Sequence, residues 1–367
     1  MTLVSIVGDF YSSVIPMFYE FKDKIDTHII IYDDFKNDVT QAKNIINGTT
    51  KYIKENNLPI RSYSIKMDED SLKALNEVAE ILKGYESDTE KLYINITDGL
   101  ANIGVLLSSI FLPLGSNIVT YDRFDNEYNL LTKDNMLTCK VEKCMSIKEH
   151  FALKNIKVSE VNDKKIALKH KDLILKIFEN HNTEFKRFAN EIMKPEPKWH
   201  EHTNILTLLK PLSLHQDNIK ENQMLITGGL FEYYIFLKIH KLGFDDIEVG
   251  VKVHQYYDEE GFIPNEFDIF IMKDNHLHMI ECKYTDKIAL DALVYKYMAL
   301  KNLIDEDSKI IMITAHPEFK PNLYETNHTK NLAHKRAREN RMLLLGNPIK
   351  KKDEFVFEVE RFFELAK

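Results

Sequence analysis

The sequence predicts an α/β protein in two domains, with a Rossmann-like first domain, and three observations predict it. At 367 residues the chain exceeds what a single hydrophobic core ordinarily serves. From Leu3 to Tyr121, short apolar runs alternate with helical stretches, the pattern of a parallel sheet with crossover helices. Further on, two apolar runs flank the turn residues Lys273, Asp274 and Asn275, the mark of a hairpin in a second α/β domain.

Taken in order, Leu3 to Val7 is a short strand and Gly8 to Ser13 a loop. Val14 to Phe21 reads as a helix, with Pro16 tolerable in its first turn. His28 to Tyr32 is a second buried strand and Lys36 to Asn56 a helix. Ser62 to Lys66 is a strand and Ser71 to Tyr85 an amphipathic helix. Leu92 to Ile96 and Asn117 to Tyr121 are strands on either side of an apolar helix, Ile103 to Leu112. Glu127 to Cys139 supplies one or two closing strands. Sheets of this kind bind ligands outside the carboxyl ends of their strands, and two loops fall there. One carries Asp9, Phe10, Ser12 and Ser13; the other carries Asn95, Thr97, Asp98, Gly99, Leu100, Ala101 and Asn102. Small polar groups at a helix N-terminus suit a phosphate or a ribose, and the same residues are ordinary N-caps. The spacing leaves both open. No GxGxxG is present, so a dinucleotide cofactor is not expected.

Ser146 to Leu153 reads as a short helix. The stretch from Asp163 to Ile219 is helical, with Lys-, Glu- and His-rich faces, and is broken at Pro195-Glu196-Pro197. It suits a connector, so the expected divisions are 1–145, 146–220 and 221–367. His200-Glu201-His202 has no third ligand at metal-binding spacing and reads as solvated linker.

In the last division, Gly228-Gly229 opens a helix from Leu230 to Leu242, which Gly243 ends. Glu232 shares a stripe with Phe236 and Ile239. An acid there needs a partner, and either a metal site or the helix dipole would serve. Ile247 to Val253 is the next strand, and Gly261 to Pro264 a turn. The hairpin follows over Asn265 to Lys283. Side chains two apart on a strand point the same way, so Glu281 and Lys283 share a face. Asp268 can close the hairpin beside a simple ion pair. Equally, Asp268 and Glu281 can hold a hard cation such as Mg²⁺ against a phosphate, with Lys283 placing the attacking water. The apolar setting favours the second chemistry, because an uncompensated carboxylate there is costly. Glu266, on the face of Asp268, is either a further candidate ligand or a group that supports the ligands. Ile288 to Leu303 is then a helix, Lys309 to Thr314 a strand, and Asn331 to Leu345 a helix ending at Gly346. Lys335, Arg336, Arg338 and Arg341 make that helix basic. Lys335, Arg338 and Arg341, three apart, can line one face toward a phosphate backbone or be merely solvated.

Composition narrows the classes. The hydrophobic share of 44% and charged share of 29% are those of an ordinary globular chain. A net charge of −8 means that any contact with nucleic acid comes from a local basic patch. Three cysteines without a CxxC pair argue against a disulfide framework and a zinc ribbon. No signal peptide or long apolar span is seen, which points to the cytoplasm and away from a membrane.

The strings GGLFE (Gly228 to Glu232), NEFD (Asn265 to Asp268), IECK (Ile280 to Lys283) and KRARE (Lys335 to Glu339) resemble the PD-(D/E)XK metal-dependent nucleases. In particular they resemble the branch with an N-terminal CARF sensor, the type III CRISPR ancillary nucleases. NITDGLAN, from Asn95 to Asn102, looks like the CARF Thr-Gly-Gly-Thr loop, with Asp98 replacing the first Gly and Leu100-Ala101 replacing Thr-Lys. The resemblance implies a CARF domain and a restriction-endonuclease-like α/β domain. It implies Glu232, Asp268, Glu281 and Lys283 as the catalytic set around Mg²⁺ or Mn²⁺, and a homodimer. The implied activator is a cyclic oligoadenylate, cyclic tetra-adenylate first, and the substrate DNA, RNA or both. Two other classes remain as alternatives: a ligand-binding regulator that holds nucleic acid without cutting, and a constitutive restriction or repair nuclease.

Overall fold

The computed structural model describes all residues except 9–12, 34–38, 68–71, 86–87, 100, 163, 216, 258–260, 285–289, 305–307, 316–327 and 366–367. The chain divides into two units, Met1–Lys157 and Val158–Lys367.

In the first unit the alternation of strand and helix holds. The elements are β1 (Thr2–Ile6), α1 (Val14–Phe21), β2 (Thr27–Asp33), α2 (Val39–Glu55), β3 (Arg61–Met67), α3 (Leu72–Tyr85), β4 (Leu92–Asn95), α4 (Ala101–Phe111) and β5 (Asn117–Asp122). β6 (Glu127–Leu131), β7 (Met136–Lys140) and α5 (Ile147–Leu153) complete it. The sheet runs β3-β2-β1-β4-β5-β6-β7, parallel through β5 and antiparallel beyond. Every residue of β1 is buried, as a central strand with both faces covered requires. Successive side chains supply opposite faces. Val4 and Ile6 pack with Ile29, Ile94 and Leu107, while Leu3 packs with Phe18, Phe21 and Val119. Each such side chain, once buried, contributes about 1.5–3 kcal/mol. α5 begins with a capping box between Ser146 and Glu149. Strand order reverses between β1 and β4, so the ligand crevice of such a sheet opens between the loops that follow those two strands.

The second unit has a six-stranded mixed sheet. Its strands are β8 (Lys157–Asn162), β9 (Asp246–Tyr257), β10 (Gly261–Lys273), β11 (His276–Lys283), β12 (Ile310–Thr314) and β13 (Met342–Gly346), ordered β13-β12-β11-β10-β9-β8. Its helices are α6 (Lys164–Lys169), α7 (Lys171–Asn180), α8 (Asn182–Ile192), α9 (Thr203–Leu209), α10 (Leu230–Ile239), α11 (Leu290–Ile304), α12 (His328–Glu339) and α13 (Lys352–Phe362). The segment expected as a connector is divided by the unit boundary. α5 stays with the first unit, while Ile174, Phe178, Phe185 and Phe188 of α7 and α8 share a core with Tyr234, Ile269, Ile280 and Ile311. Among the described residues no helix is long and apolar enough to cross a membrane.

Two expectations are corrected. The turn expected over Gly261 to Pro264 is strand: Gly261 pairs Tyr257 and Pro264 pairs His254 in one ladder. β11 reaches β10 only from Ile269 onward in the paired register, so among the described residues this end of β10 pairs with β9 alone. A proline without an N–H is tolerated on such an edge. The helix expected over Asn331 to Leu345 is a helix followed by a strand. Arg341 has φ 56, which breaks the helix, and Met342 to Gly346 pair in parallel with β12. A short apolar run suits a buried strand as well as a helix, and Arg341 therefore lies beyond the basic helix.

Candidate functional site

The hairpin forms as its sequence requires. Asp274 and Asn275 take φ of 53 and 61, the left-handed pair of a two-residue hairpin turn. Ile269 pairs with Ile280, so Asp268 and Glu281 are the next residues on facing strands. Lys283 Nζ contacts Glu281 Oε1 and lies 3.9 Å from Asp268 Oδ2. The backbone N–H of Cys282 donates to Asp268 Oδ2 at 2.6 Å. On the other side of β10, Phe267 pairs Val251 and Ile269 pairs Val249, while Gly250 between them has φ 57, a conformation that favours glycine.

The centre is short of positive charge. Burial, then Glu266 and Glu281, push the Glu232 carboxyl up to about 7. Burial, then Glu281 and Glu232, push Asp268 well above the usual carboxylate range. Burial works to lower the Lys283 ammonium, but Asp268 and Glu281 outweigh it and hold it raised. Glu281 is 2% exposed, and its Oε2 has no hydrogen-bond partner among the described residues. Clustered oxygen donors with uncompensated charge suit a hard divalent cation, which takes one or two carboxylates and completes its shell with water and phosphate oxygens. No group of three or more His, Cys, Asp or Glu side chains among the described residues is arranged to hold a metal ion.

Glu232 reaches this neighbourhood from α10, which is preceded by a π-helical turn over Leu225–Gly229. Such turns recur at functional sites. A Cβ on Gly228 would stand 3.7 Å from Glu232 Oε1. Sequence reasoning missed Tyr297 of α11, which is fully buried. Burial, then the charge of Glu281 and a hydrogen bond to it, push its hydroxyl far up. Only the return of a distant helix brings it there, and no local pattern announces it. On α12, Lys335 and Arg338 are exposed, whereas the Arg336 guanidinium lies 4.9 Å from the Tyr295 ring centroid.

In the first unit, Asp9, Phe10, Ser12 and Leu100 lie outside the described residues. Ser13 and Asn95 are buried and tie the two loops together. Ser13 donates to Asp98 Oδ2 from its N–H at 2.8 Å and from Oγ at 2.5 Å, and Asn95 Nδ2 donates to Ser13 Oγ at 3.3 Å. Thr97 Oγ1 donates to Asn95 Oδ1 at 2.7 Å. The loops approach so closely that a Cβ on Gly8 would stand 2.2 Å from the N of Gly99, which itself has φ +92. Ala101 and Asn102 are exposed at the start of α4. Thr97 and Asp98 line a cavity of about 470 Å³ with Thr120 to Phe124 and Asn129 of the β5–β6 region, residues the sequence reading did not single out.

The fold is thus a Rossmann-like unit with a polar cavity at its strand ends, followed by an α/β unit with carboxylates and a lysine gathered on a hairpin. The comparisons agree. Residues 219–347 match the family model "Card1-like, endonuclease domain", so this part of the C-terminal unit is similar to that domain. No curated protein matches the chain in sequence. Among solved structures, the protein VC1899 from Vibrio cholerae is 15% identical with a TM-score of 0.75, covering 99% of this chain and 98% of that one. Can2 from Sulfobacillus thermosulfidooxidans, solved with cyclic tetra-adenylate, is 14% identical with a TM-score of 0.68, covering 99% of this chain and all of that one (100%). A type III CRISPR defence DNA nuclease activated by cyclic oligoadenylate is 13% identical with a TM-score of 0.52, covering 86% of this chain and 45% of that one. The resemblance carried by GGLFE, NEFD, IECK and KRARE therefore agrees with these matches: the chain has a two-unit α/β fold like that of Can2 and of the CRISPR defence nuclease, and its C-terminal unit is similar to the Card1-like endonuclease domain.

Proposed function

We propose that this chain is a metal-dependent endonuclease switched on by a cyclic oligoadenylate, cyclic tetra-adenylate first, which cuts DNA, RNA or both in type III CRISPR antiviral defence. The observation that carries the reading is the convergence of Asp268, Glu281 and Lys283 inside the Card1-like domain. Asp268 and Glu281, with Glu232 beside them, would hold Mg²⁺ or Mn²⁺. When bound, the ion supplies the charge that polarises a phosphodiester and activates water. Lys283 orients the attacking water and offsets charge as the phosphate becomes more anionic. The exposed Lys335 and Arg338, with Arg336, contact the substrate backbone.

The division into a sensor (1–145), a connector (146–220) and a nuclease domain (221–367) belongs to the same proposal. In the sensor, the loops carrying Asp9 to Ser13 and Asn95 to Asn102 receive the activator. A two-fold homodimer in the cytoplasm would present each loop twice to a two-fold ring. The structure of Can2 with cyclic tetra-adenylate supports that choice of ligand. The test is to incubate purified protein with Mn²⁺, labelled DNA and RNA, and cyclic oligoadenylates of several ring sizes. Cleavage only when metal and activator are both present is the expected result. Equal cleavage without activator removes the sensor role, and no cleavage under any condition removes the nuclease role.

A further inference from the structure

We propose that the turn between β5 and β6 is the base-reading wall of the cavity in the N-terminal unit, with Phe124 stacking on a base and Arg123 meeting a phosphate. The inference deepens the sensor reading above and rests on it. Four observations lead to it. The cavity of about 470 Å³ lies within the size range of small-molecule sites, roughly 300–1,000 Å³. It opens at the carboxyl ends of β4 and β5, where sheets of this kind take ligands.

The turn is also held in place from within. Phe124 N–H donates to Asp122 Oδ1 at 2.9 Å, and Tyr121 O–H donates to Asn126 Oδ1 at 3.0 Å. Asn126 is 7% exposed in a left-handed conformation with φ 50, and its carbonyl accepts from Val141 N–H. The Tyr121 N–H donates to Thr97 Oγ1 at 2.7 Å, fastening the end of β5 to the loop after β4.

On this fixed turn Phe124 is 69% exposed, and the Arg123 guanidinium stands 5.2 Å from its ring centroid. A lone exposed phenylalanine is ordinary on a protein surface. One that lines a polar cavity, with a guanidinium against its ring, has the composition that binds nucleotides: a stacking surface next to a cation. A turn that needs no ordering on binding loses little affinity to entropy. Asp98 accepts from Ser13, and Asp122 accepts from the backbone of its own turn.

Calorimetric titration of the full chain with cyclic tetra-adenylate tests the inference on wild type, Phe124→Ala, Phe124→Tyr and Arg123→Ala. Phe124→Ala is expected to weaken binding about ten-fold, the usual loss for one stacked base, while Phe124→Tyr stays near wild type. Arg123→Ala is expected to weaken binding and flatten its salt dependence. Because Phe124 is exposed, thermal melts of these variants should coincide with wild type. If wild type fails to bind the ring, the sensor reading itself is overturned. If wild type binds and Phe124→Ala binds equally well, the sensor reading stands and the β5–β6 wall is overturned. Equal loss in the alanine and tyrosine variants overturns stacking.

Discussion

Glu281 sits in β11 with 2% of its side chain exposed, its Oε1 against Lys283 Nζ, and its charge helps to push the buried Tyr297 hydroxyl up. Tyr297 is thereby placed to help position that carboxylate. Tyr297→Phe should lower kcat about ten-fold, the worth of one hydrogen bond to a charged group, while KM for the oligonucleotide stays put; steady-state kinetics separates the two. In the other unit, His28 is fully buried, with Ser5 Oγ 3.0 Å from Nε2 and no hydrogen-bond partner for Nδ1 among the described residues. Burial lowers its pKa from 6.5 to about 3. Between those values the unfolded chain takes up a proton that the folded chain refuses. Stability from this residue is therefore complete above about pH 6.5 and falls as pH drops toward 3, by about 1.4 kcal/mol per pH unit at most. Denaturant titrations of wild type and His28→Gln across that window check it. The variant should lose part of the pH slope, and equal slopes would speak against a neutral buried imidazole.

At the scale of elements, the close approach of the loops after β1 and β4 depends on glycine. A Cβ at Gly99 would stand 2.3 Å from Ile6 Cγ2, at a φ of +92 that other residues rarely adopt. Gly99→Ala should cost about 1–3 kcal/mol, read as a lower denaturation midpoint, and should weaken activator binding. The strands of the first unit were legible because apolar runs of strand length alternate with helical stretches. The hairpin was legible because Asp274 and Asn275 tolerate left-handed backbone. Other parts were not. Gly261 and Pro264 carry turn chemistry, yet they extend β10 because β9 is long enough to pair with them. Met342 to Gly346 continues a helical pattern on paper, and only the open edge of β12 decides that it becomes a strand. β8, which falls within the expected connector, joins the second sheet by a long-range pairing that no local pattern contains. Asp268, Glu281 and Lys283 of the candidate site were readable from spacing, and Glu232 only from the resemblance. Tyr297 and the β5–β6 turn were not, because tertiary return alone brings them to their sites.

For the whole molecule, the reading joins detection to cutting in one chain. Chelating divalent ions with EDTA should abolish cleavage and leave activator binding unchanged, and excess Mn²⁺ should restore cutting; an assay of both activities on one preparation checks this. The most direct measurement compares wild type with Glu281→Gln and Lys283→Met for cleavage of labelled single-stranded DNA and RNA, with Mn²⁺ and cyclic tetra-adenylate present. Removing one such group should slow cutting by about 100-fold or more, while titration shows the activator still bound. Cleavage by Glu281→Gln and Lys283→Met at the wild-type rate would contradict the assignment of the hairpin as the hydrolytic centre.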